Sequence, residues 1–555
     1  MIGRRTLAVA CTAAIAVALL AALRPDAAAT TPLNVVSVDT SYATNGRFTL
    51  DIGGPNREDN AFSSVLQPDG KVVVSGKGFN RNSGNFDFTI LRYLPNGGLD
   101  PTFGWGGVVL TDFYQGHDEA LAIALQPDGK LVVAGLAGKP GAEPPEQCQF
   151  NCLTVPTDFA IARYNTNGSL DTSFGLGGRV TTDFYGGQDM ALSVILQPDG
   201  KILAGGTAYR TATDADFAMA RYNSNGSRDT TFGWNGLVTT TFGSGEDAIY
   251  RLNLQADGSI VAAGASSNAT TRKFDFALAK YRPNGSLDPS YGWGGVVLTD
   301  FYGGSDVIHA SLLQPDGKLV AGGLAFNPNT GNYDYALARY NTNGSLDATF
   351  GPATLPGRVT TDFDGTYDQV MDLLLQPDGK IIAPGEEVNP VTQFNFAITR
   401  YNTDGSLDPT FGPNGRVSLD WFGGLDGIHA AVLQPDGKVV VSGDIENPAT
   451  QSKDYAAMRY LVADPSYISG VVASLSASAF AAPDQRTTML TTLASAEASV
   501  LGGQAAPVLT ALRTLRTHVD GCGAAPDADD WIVDCATQMR VRGLIDQIVA
   551  KISSE

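Results

Sequence analysis

The chain reads as an all-β, seven-bladed β-propeller of four-stranded blades, closed by an N-terminal strand and followed by a small α-helical domain. Three observations carry that reading. First, Leu66-Gln67-Pro68-Asp69-Gly70-Lys71 recurs as LQPDGK at Leu125, Leu196, Leu313, Leu375 and Leu433, and as LQADGS at Leu254. Most copies are 58–62 residues apart, with one gap of 71 from Leu125 to Leu196. A fixed period of this size sets the architecture. Second, each period contains four strand-like runs, the arithmetic of a propeller blade. Third, the two ends of the array complement each other.

In order along the chain, residues 1–29 have the features of a secretory signal: basic Arg4 and Arg5, an uncharged apolar run from Thr6 to Leu23, and the small-residue site Ala27-Ala28-Ala29. The run is long enough to just span a membrane, so an anchor is the rival reading, and the small-residue site favours cleavage. Arg4-Arg5-Thr6-Leu7 faintly resembles a twin-arginine signal. The expected location is therefore secreted, either extracellular or in the cell envelope, with no stable membrane insertion once the signal is removed.

The propeller is assigned to residues 33–461. In the unit at Ala191, the run Ala191–Gln197 is a first strand and Pro198-Asp199-Gly200 a tight turn, because Asp-Gly suits the positive φ of a hairpin. Lys201–Gly206, Asp216–Tyr222 and Gly236–Phe242 follow as the second to fourth strands. The first two are the more apolar and should lie deeper, while the Thr-rich fourth suits an edge. The seventh unit stops after its third strand, Asp454–Tyr460. Its missing fourth strand is found at the other end: Asp39–Tyr42 and Asn45–Asp51 match Asp408–Phe411 and Asn414–Asp420 in spacing. A closed ring uses such a split to remove free edges, and an open solenoid does not. Residues 466–555 change to helical periodicity, with helices expected over 466–480, 485–501, 505–519 and 530–552.

LQPDGK, DFAxARY (Asp158–Tyr164) and NGSLDxxFGxGGxV (Asn167–Val180) resemble the bacterial delta-60 repeat family over about residues 39–461. The resemblance implies an exported repeat protein with no assigned chemistry. The C-terminal segment, above all Asp520-Gly521-Cys522 and Asp530–Cys535, more weakly resembles helical modules appended to secreted bacterial proteins. That likeness implies an attachment or spacing role.

Two columns of residues could carry chemistry. The third strand ends in a base, Arg92, Arg163, Arg221, Lys280, Arg339, Arg400 or Arg459. Eight residues on stands an acid, Asp100, Asp171, Asp229, Asp288, Asp347 or Asp408, with Asp39 supplying the seventh across the seam. The frame has the shape of a calcium loop with a cation already built in, which points to a structural Arg–Asp hairpin and not to a metal site. The second column, Asp59, Asp118, Asp189, Asp247, Asp306, Asp368 and Asp426, precedes each first strand. It is the candidate binding column: seven carboxylates near the axis for a cation or polyhydroxyl ligand. Alternatively, each bonds backbone N–H groups at its blade junction.

His309 and His429 break the symmetry at one register of blades five and seven and are read as packed side chains. In an exported chain, Cys148–Cys152 and Cys522–Cys535 are expected disulfides. No nucleophile elbow, HExxH or phosphate-binding glycine motif occurs, and no cofactor is expected. A formal charge of -20 excludes nucleic acid as a partner class and leaves cations, glycans and protein surfaces. The expected function is a non-enzymatic binding or scaffold protein whose surface ligand is a glycan or protein. A secreted hydrolase or lyase with an axial active site is the alternative.

Overall fold

The computed structural model describes residues 31–139, 156–521 and 529–554, less positions 56, 212–213, 244, 269, 390, 392, 422 and 449–451. Seven antiparallel sheets follow one another along the chain, each built in sequence order. Blade three is representative, with strands Asp189–Leu196, Ile202–Thr211, Asp214–Tyr222 and Leu237–Thr240. The seam lies where the sequence places it. Arg47–Leu50 pairs antiparallel with Met458–Tyr455, and Ser37–Val38 with Leu461–Tyr460. The chain's first strands thus complete its last blade.

Each repeated motif has a mechanical task. The apolar strands bury residues between neighbouring blades, as Phe88, Ile90 and Phe103 do against Ala120, Val133 and Tyr164. In blades two to six the tyrosine that ends the third strand reaches back to a threonine of the preceding blade, as Tyr164 Oη donates to Thr111 Oγ1 at 2.8 Å and Tyr281 Oη to Thr240 Oγ1 at 2.8 Å. The glycine of the second strand lets the first strand cross closely: a Cβ on Gly206 would stand 1.8 Å from the Met190 carbonyl oxygen. That crossing is a β-bulge, with register shifts at Ala61/Ser63, Ala120/Ala122, Ala191/Ser193, Ile249/Arg251, Ile308/Ala310 and Ile428/Ala430. The skipped residue is the one position where His309 and His429 occur, and bulges re-aim the side chains they carry.

Blade six departs from the pattern. Pro384 stands where the other blades have Ser75, Ala134, Gly205, Ala263, Gly322 and Ser442. It has no N–H to give its neighbour. The first strand accordingly splits into Asp368–Val370 and Leu374–Leu375, and the N–H groups of Met371 and Asp372 both donate to the Pro384 carbonyl.

Four helices follow: α1 (Pro465–Ser474), α2 (Pro483–Leu501), α3 (Ala505–Arg516) and α4 (Cys535–Ser554). The last begins later than the spacing predicts, after an extended stretch in which Ile532 bridges to Phe480. Ile468, Leu493, Leu512, Leu515, Leu544 and Ile548 form the core of the module. It packs on the turns of blades six and seven: Ser466 Oγ donates to Asp378 at 2.7 Å and Arg540 Nε to the Pro435 carbonyl at 2.9 Å. No helix among the described residues is long and apolar enough to cross a membrane. Residues 1–29, Cys148, Cys152 and Cys522 lie outside the described residues, and with them the expected signal and one or both partners of each expected disulfide.

Candidate functional site

The seven carboxylates of the candidate binding column are sealed into the blade junctions. Each is 0 or 1 % exposed. Each accepts a backbone N–H from the connection that enters its blade: Asp118 from Phe113 at 2.8 Å, Asp189 from Phe184 at 2.7 Å, Asp247 from Phe242 at 2.9 Å, Asp306 from Phe301 at 2.8 Å, Asp368 from Phe363 at 2.7 Å and Asp426 from Trp421 at 2.9 Å. Asp59 takes Ile52 and Gly53 in the same way. Of the two sequence readings, the geometry is that of the junction bond. Burial pushes these acids up, to about 7 at Asp59, Asp189 and Asp306, about 6 at Asp247 and Asp426, about 8 at Asp118 and about 9 at Asp368.

The Arg–Asp column is a set of staples between blades. Arg163 Nε donates to Asp171 Oδ2 at 2.9 Å, its Nη1 to the Ser224 carbonyl of the next blade and its Nη2 to Ser173 Oγ, while the guanidinium lies 4.7 Å from the Phe174 ring centre. The seam repeats this arrangement, with Arg459 on Asp39 at 2.7 Å and on the Pro95 carbonyl. Sequence reasoning missed a second cation. The lysine of LQPDGK reaches the same carboxylate: Lys130 to Asp171 at 2.8 Å, Lys318 to Asp347 at 2.9 Å and Lys380 to Asp408 at 2.9 Å. Its co-occurrence with the acid in six units was the available signal; the LQADGS unit has Ser259 instead, and its Lys280–Asp288 pair is 4.0 Å long. In blade six, Asp464 and Glu497 of the helical module join the staple. Asp464 caps α1 through the Tyr467 N–H and takes Arg400 at 2.6 Å, and Lys380 reaches Glu497 at 3.3 Å. Burial works against the Asp464 charge, yet Arg400 and Lys380 hold it below the usual carboxylate range.

At the other end of the strands, the uniformity breaks. His429 Nε2 lies 2.7 Å from Asp444, its Nδ1 3.8 Å from Glu386, and Lys453 reaches Asp444 at 3.1 Å. A Cβ on Gly427 would collide with the Glu386 carboxylate at 2.4 Å, so the missing side chain makes the slot this acid occupies. Burial opposes the imidazolium, but Asp444 and Glu386 outweigh it and raise His429 above its ordinary value. Blades one and two continue the arc with Lys77, His117 and Glu119: Glu119 Oε1 lies 3.1 Å from Lys77 and 2.6 Å from His117. His309 stays outside it, edge-on to Tyr250 with Nδ1 at the Val370 carbonyl, and burial pushes it down to about 4. Both nitrogens of His429 face carboxylates, and these favour its imidazolium form.

Trp105, Leu176, Trp234 and Trp293 hold a third position of interest. They occupy one register of blades one to four, at the hairpin that opens the fourth strand, and are 90, 86, 81 and 89 % exposed. Trp105 N–H closes on Val108 across Gly106 and Gly107, whose φ angles of 64° and 100° suit the turn. Blades five to seven have Pro352, Pro413 and Thr44 there. The FGW triplets were visible in the sequence, but exposure was not.

The repeat unit has a counterpart among described families. Residues 67–103, 155–174, 197–232, 255–291, 314–350 and 376–411 match the profile of a domain of unknown function (DUF5122) beta-propeller. No curated protein matches the chain. Among solved structures, a protein of unknown function from Dyadobacter fermentans aligns at 12 % identity over 75 % of this chain and 99 % of its own, with a TM-score of 0.41. A virginiamycin B lyase from Staphylococcus aureus aligns at 8 % over 74 % and 98 %, TM-score 0.40, and the polysaccharide lyase Uly1 at 10 % over 76 % and 92 %, TM-score 0.41. Likenesses at this level assign no activity to this chain.

Proposed function

We propose that this protein is a secreted binding or scaffold propeller, acting at the cell surface or outside the cell, and that its contact surface is the apolar rim of blades one to four. The observation that carries the reading is the recurrence of Trp105, Leu176, Trp234 and Trp293, nearly fully exposed at one register of successive blades. Scattered exposed apolar residues are ordinary, but a row at fixed register on a rigid scaffold marks a recognition surface. Indole faces held at hairpin tips suit the C–H faces of a glycan, with a protein surface as the second ligand class. The rim lies at the strand ends that also carry the LQPDGK turns, where the helical module covers blades six and seven and leaves one to four open. Export follows from the N-terminal signal pattern.

Glycan-array and whole-cell binding test this reading. Binding by the wild type that falls about tenfold or more in Trp105→Ala/Trp234→Ala/Trp293→Ala is expected, since each lost anchor costs on the order of 1 kcal/mol or more. Unchanged binding by the triple variant refutes the rim. A hydrolase or lyase at the axis is the second reading, favoured by the acids beside His429; turnover of a polysaccharide or lactone that is lost in His429→Ala would replace the first.

A further inference from the structure

We propose that the junction of blades five and six, where Asp334, Asp362 and Asp368 converge, is a divalent-cation site of the calcium class. One carboxylate oxygen from each lies within 4.8 Å of the others. That is the spread of ligands held at about 2.4 Å around a single calcium ion. Two observations beyond the clustering point to an ion. Asp334 Oδ2 takes the Asn327 amide at 2.7 Å and Asp368 Oδ2 the Phe363 N–H at 2.7 Å. That leaves one further oxygen on each, Asp334 Oδ1 and Asp368 Oδ1. Both side chains are buried, at 1 and 0 % exposure, and both oxygens lack a hydrogen-bond partner among the described residues. Buried carboxylate oxygens in that state are costly unless something positive meets them.

Other junctions of the same ring show what the missing element is. Between blades two and three, Lys139 lies 3.5 Å from Asp158 of the Asp158–Asp183–Asp189 group. Between blades three and four, the middle acid has become Thr241 and Arg210 reaches Asp216 at 2.6 Å. At those two places the chain brings its own cation to the group, although Asp189 Oδ1 and Asp247 Oδ1 lack a hydrogen-bond partner there too. Between five and six no lysine or arginine among the described residues pairs with a carboxylate of the three. The Arg416 guanidinium instead donates to the Asp362 carbonyl oxygen and lies over the Phe363 ring. The further triads Asp87–Asp112–Asp118 and Asp275–Asp300–Asp306 differ in another way, because both oxygens of Asp118 and of Asp306 are taken by backbone N–H groups.

Three carboxylates and no nitrogen or sulfur donor form a hard, all-oxygen set that suits calcium, with water completing the shell. Asp362 is only half-buried and also lines a cleft of about 650 Å³ between blades five and six. The site is independent of the apolar rim, so it stands or falls separately from the binding reading.

The experiment is calorimetric titration of the full-length mature protein, stripped with EDTA, using calcium chloride and then magnesium chloride alone. Saturable calcium binding, a higher melting temperature with calcium than with EDTA, and weak or no magnesium binding are expected. Asp362→Asn keeps an oxygen to accept the Gly365 N–H, at 2.6 Å from Asp362 Oδ1, so the turn is retained. It is expected to weaken calcium binding about tenfold or more, or to lower the stoichiometry by one. Asp368→Asn is the second variant, read in the same way. No calcium-dependent heat or melting shift at several millimolar calcium overturns the proposal. So does calcium binding of unchanged strength and stoichiometry in a folded Asp362→Asn or Asp368→Asn protein.

Discussion

Replacing Arg163 by Ala tests the staple between blades. Arg163 and Asp171 are 7 and 6 % exposed, so the pair lies close to the buried limit, where losing one partner costs about 3–5 kcal/mol. Two features change that figure. Lys130 stays 2.8 Å from Asp171, so the carboxylate keeps a cation. The Ser224 carbonyl, on an exposed turn residue, loses the donor that ties blade three to blade two, a loss of about 0.5–1.5 kcal/mol. The expected cost is about 2–3 kcal/mol, read from urea unfolding followed by fluorescence. Arg163→Ala combined with Lys130→Ala should cost more than the sum of the two single changes, by about 0.5–3 kcal/mol, because only the double variant strands Asp171. Blade four supplies the internal control. Its Lys280–Asp288 pair is 4.0 Å long and Asp288 more open, so Lys280→Ala should cost about 1 kcal/mol or less. Equal costs for Arg163→Ala and Lys280→Ala, or an additive double variant, would refute the reasoning. Asp171→Asn should leave any calcium response unchanged, since this carboxylate already has two cations.

Three further outcomes are expected. Deleting residues 33–52 removes the strand that pairs with Met458–Tyr455 and the Asp39 partner of Arg459; the truncated protein should melt lower and aggregate on gel filtration, and melting like the full-length chain would contradict ring closure. Stability in calcium-free buffer should peak on the mildly acid side. The junction acids, raised by burial to about 6–9, contribute stability that is complete below the unfolded value and is lost as pH rises through that range, while Asp100, Asp171 and Asp347, held low by their hydrogen bonds and cations, contribute stability lost as pH falls below about 4. A melting temperature that is flat or rising from pH 6 to 9 would contradict this assignment. Non-reducing mass spectrometry of the exported protein should find the links Cys148–Cys152 and Cys522–Cys535 and no residues 1–29, and four free thiols would argue against export.

The sequence alone determined whatever is local or strictly periodic. Seven copies of a four-strand unit dictate seven blades, because each hairpin is closed by turns such as Pro198-Asp199-Gly200 whose φ preferences are written in the residues themselves. The split repeat at Asn45–Asp51 dictates closure for the same reason, as one unit's parts must pair somewhere. The Arg163–Asp171 hairpin spans eight residues and was legible as a frame. What the tertiary structure decided is which side chains far apart in the chain meet, within a blade or between blades. Lys130 and Asp171 are 41 residues apart, Glu386 and His429 come from blades six and seven, and Asp334, Asp362 and Asp368 belong to a third strand, the end of a fourth strand and the next blade's first. Repeat spacing fixes their register within a blade. It does not fix the angle between blades, the bulge that turns position 429 toward its acids, or the docking of Asp464 on Arg400. Those follow from packing the ring shut, where a shift of an ångström or two decides whether two buried charges pair or are left waiting for an ion.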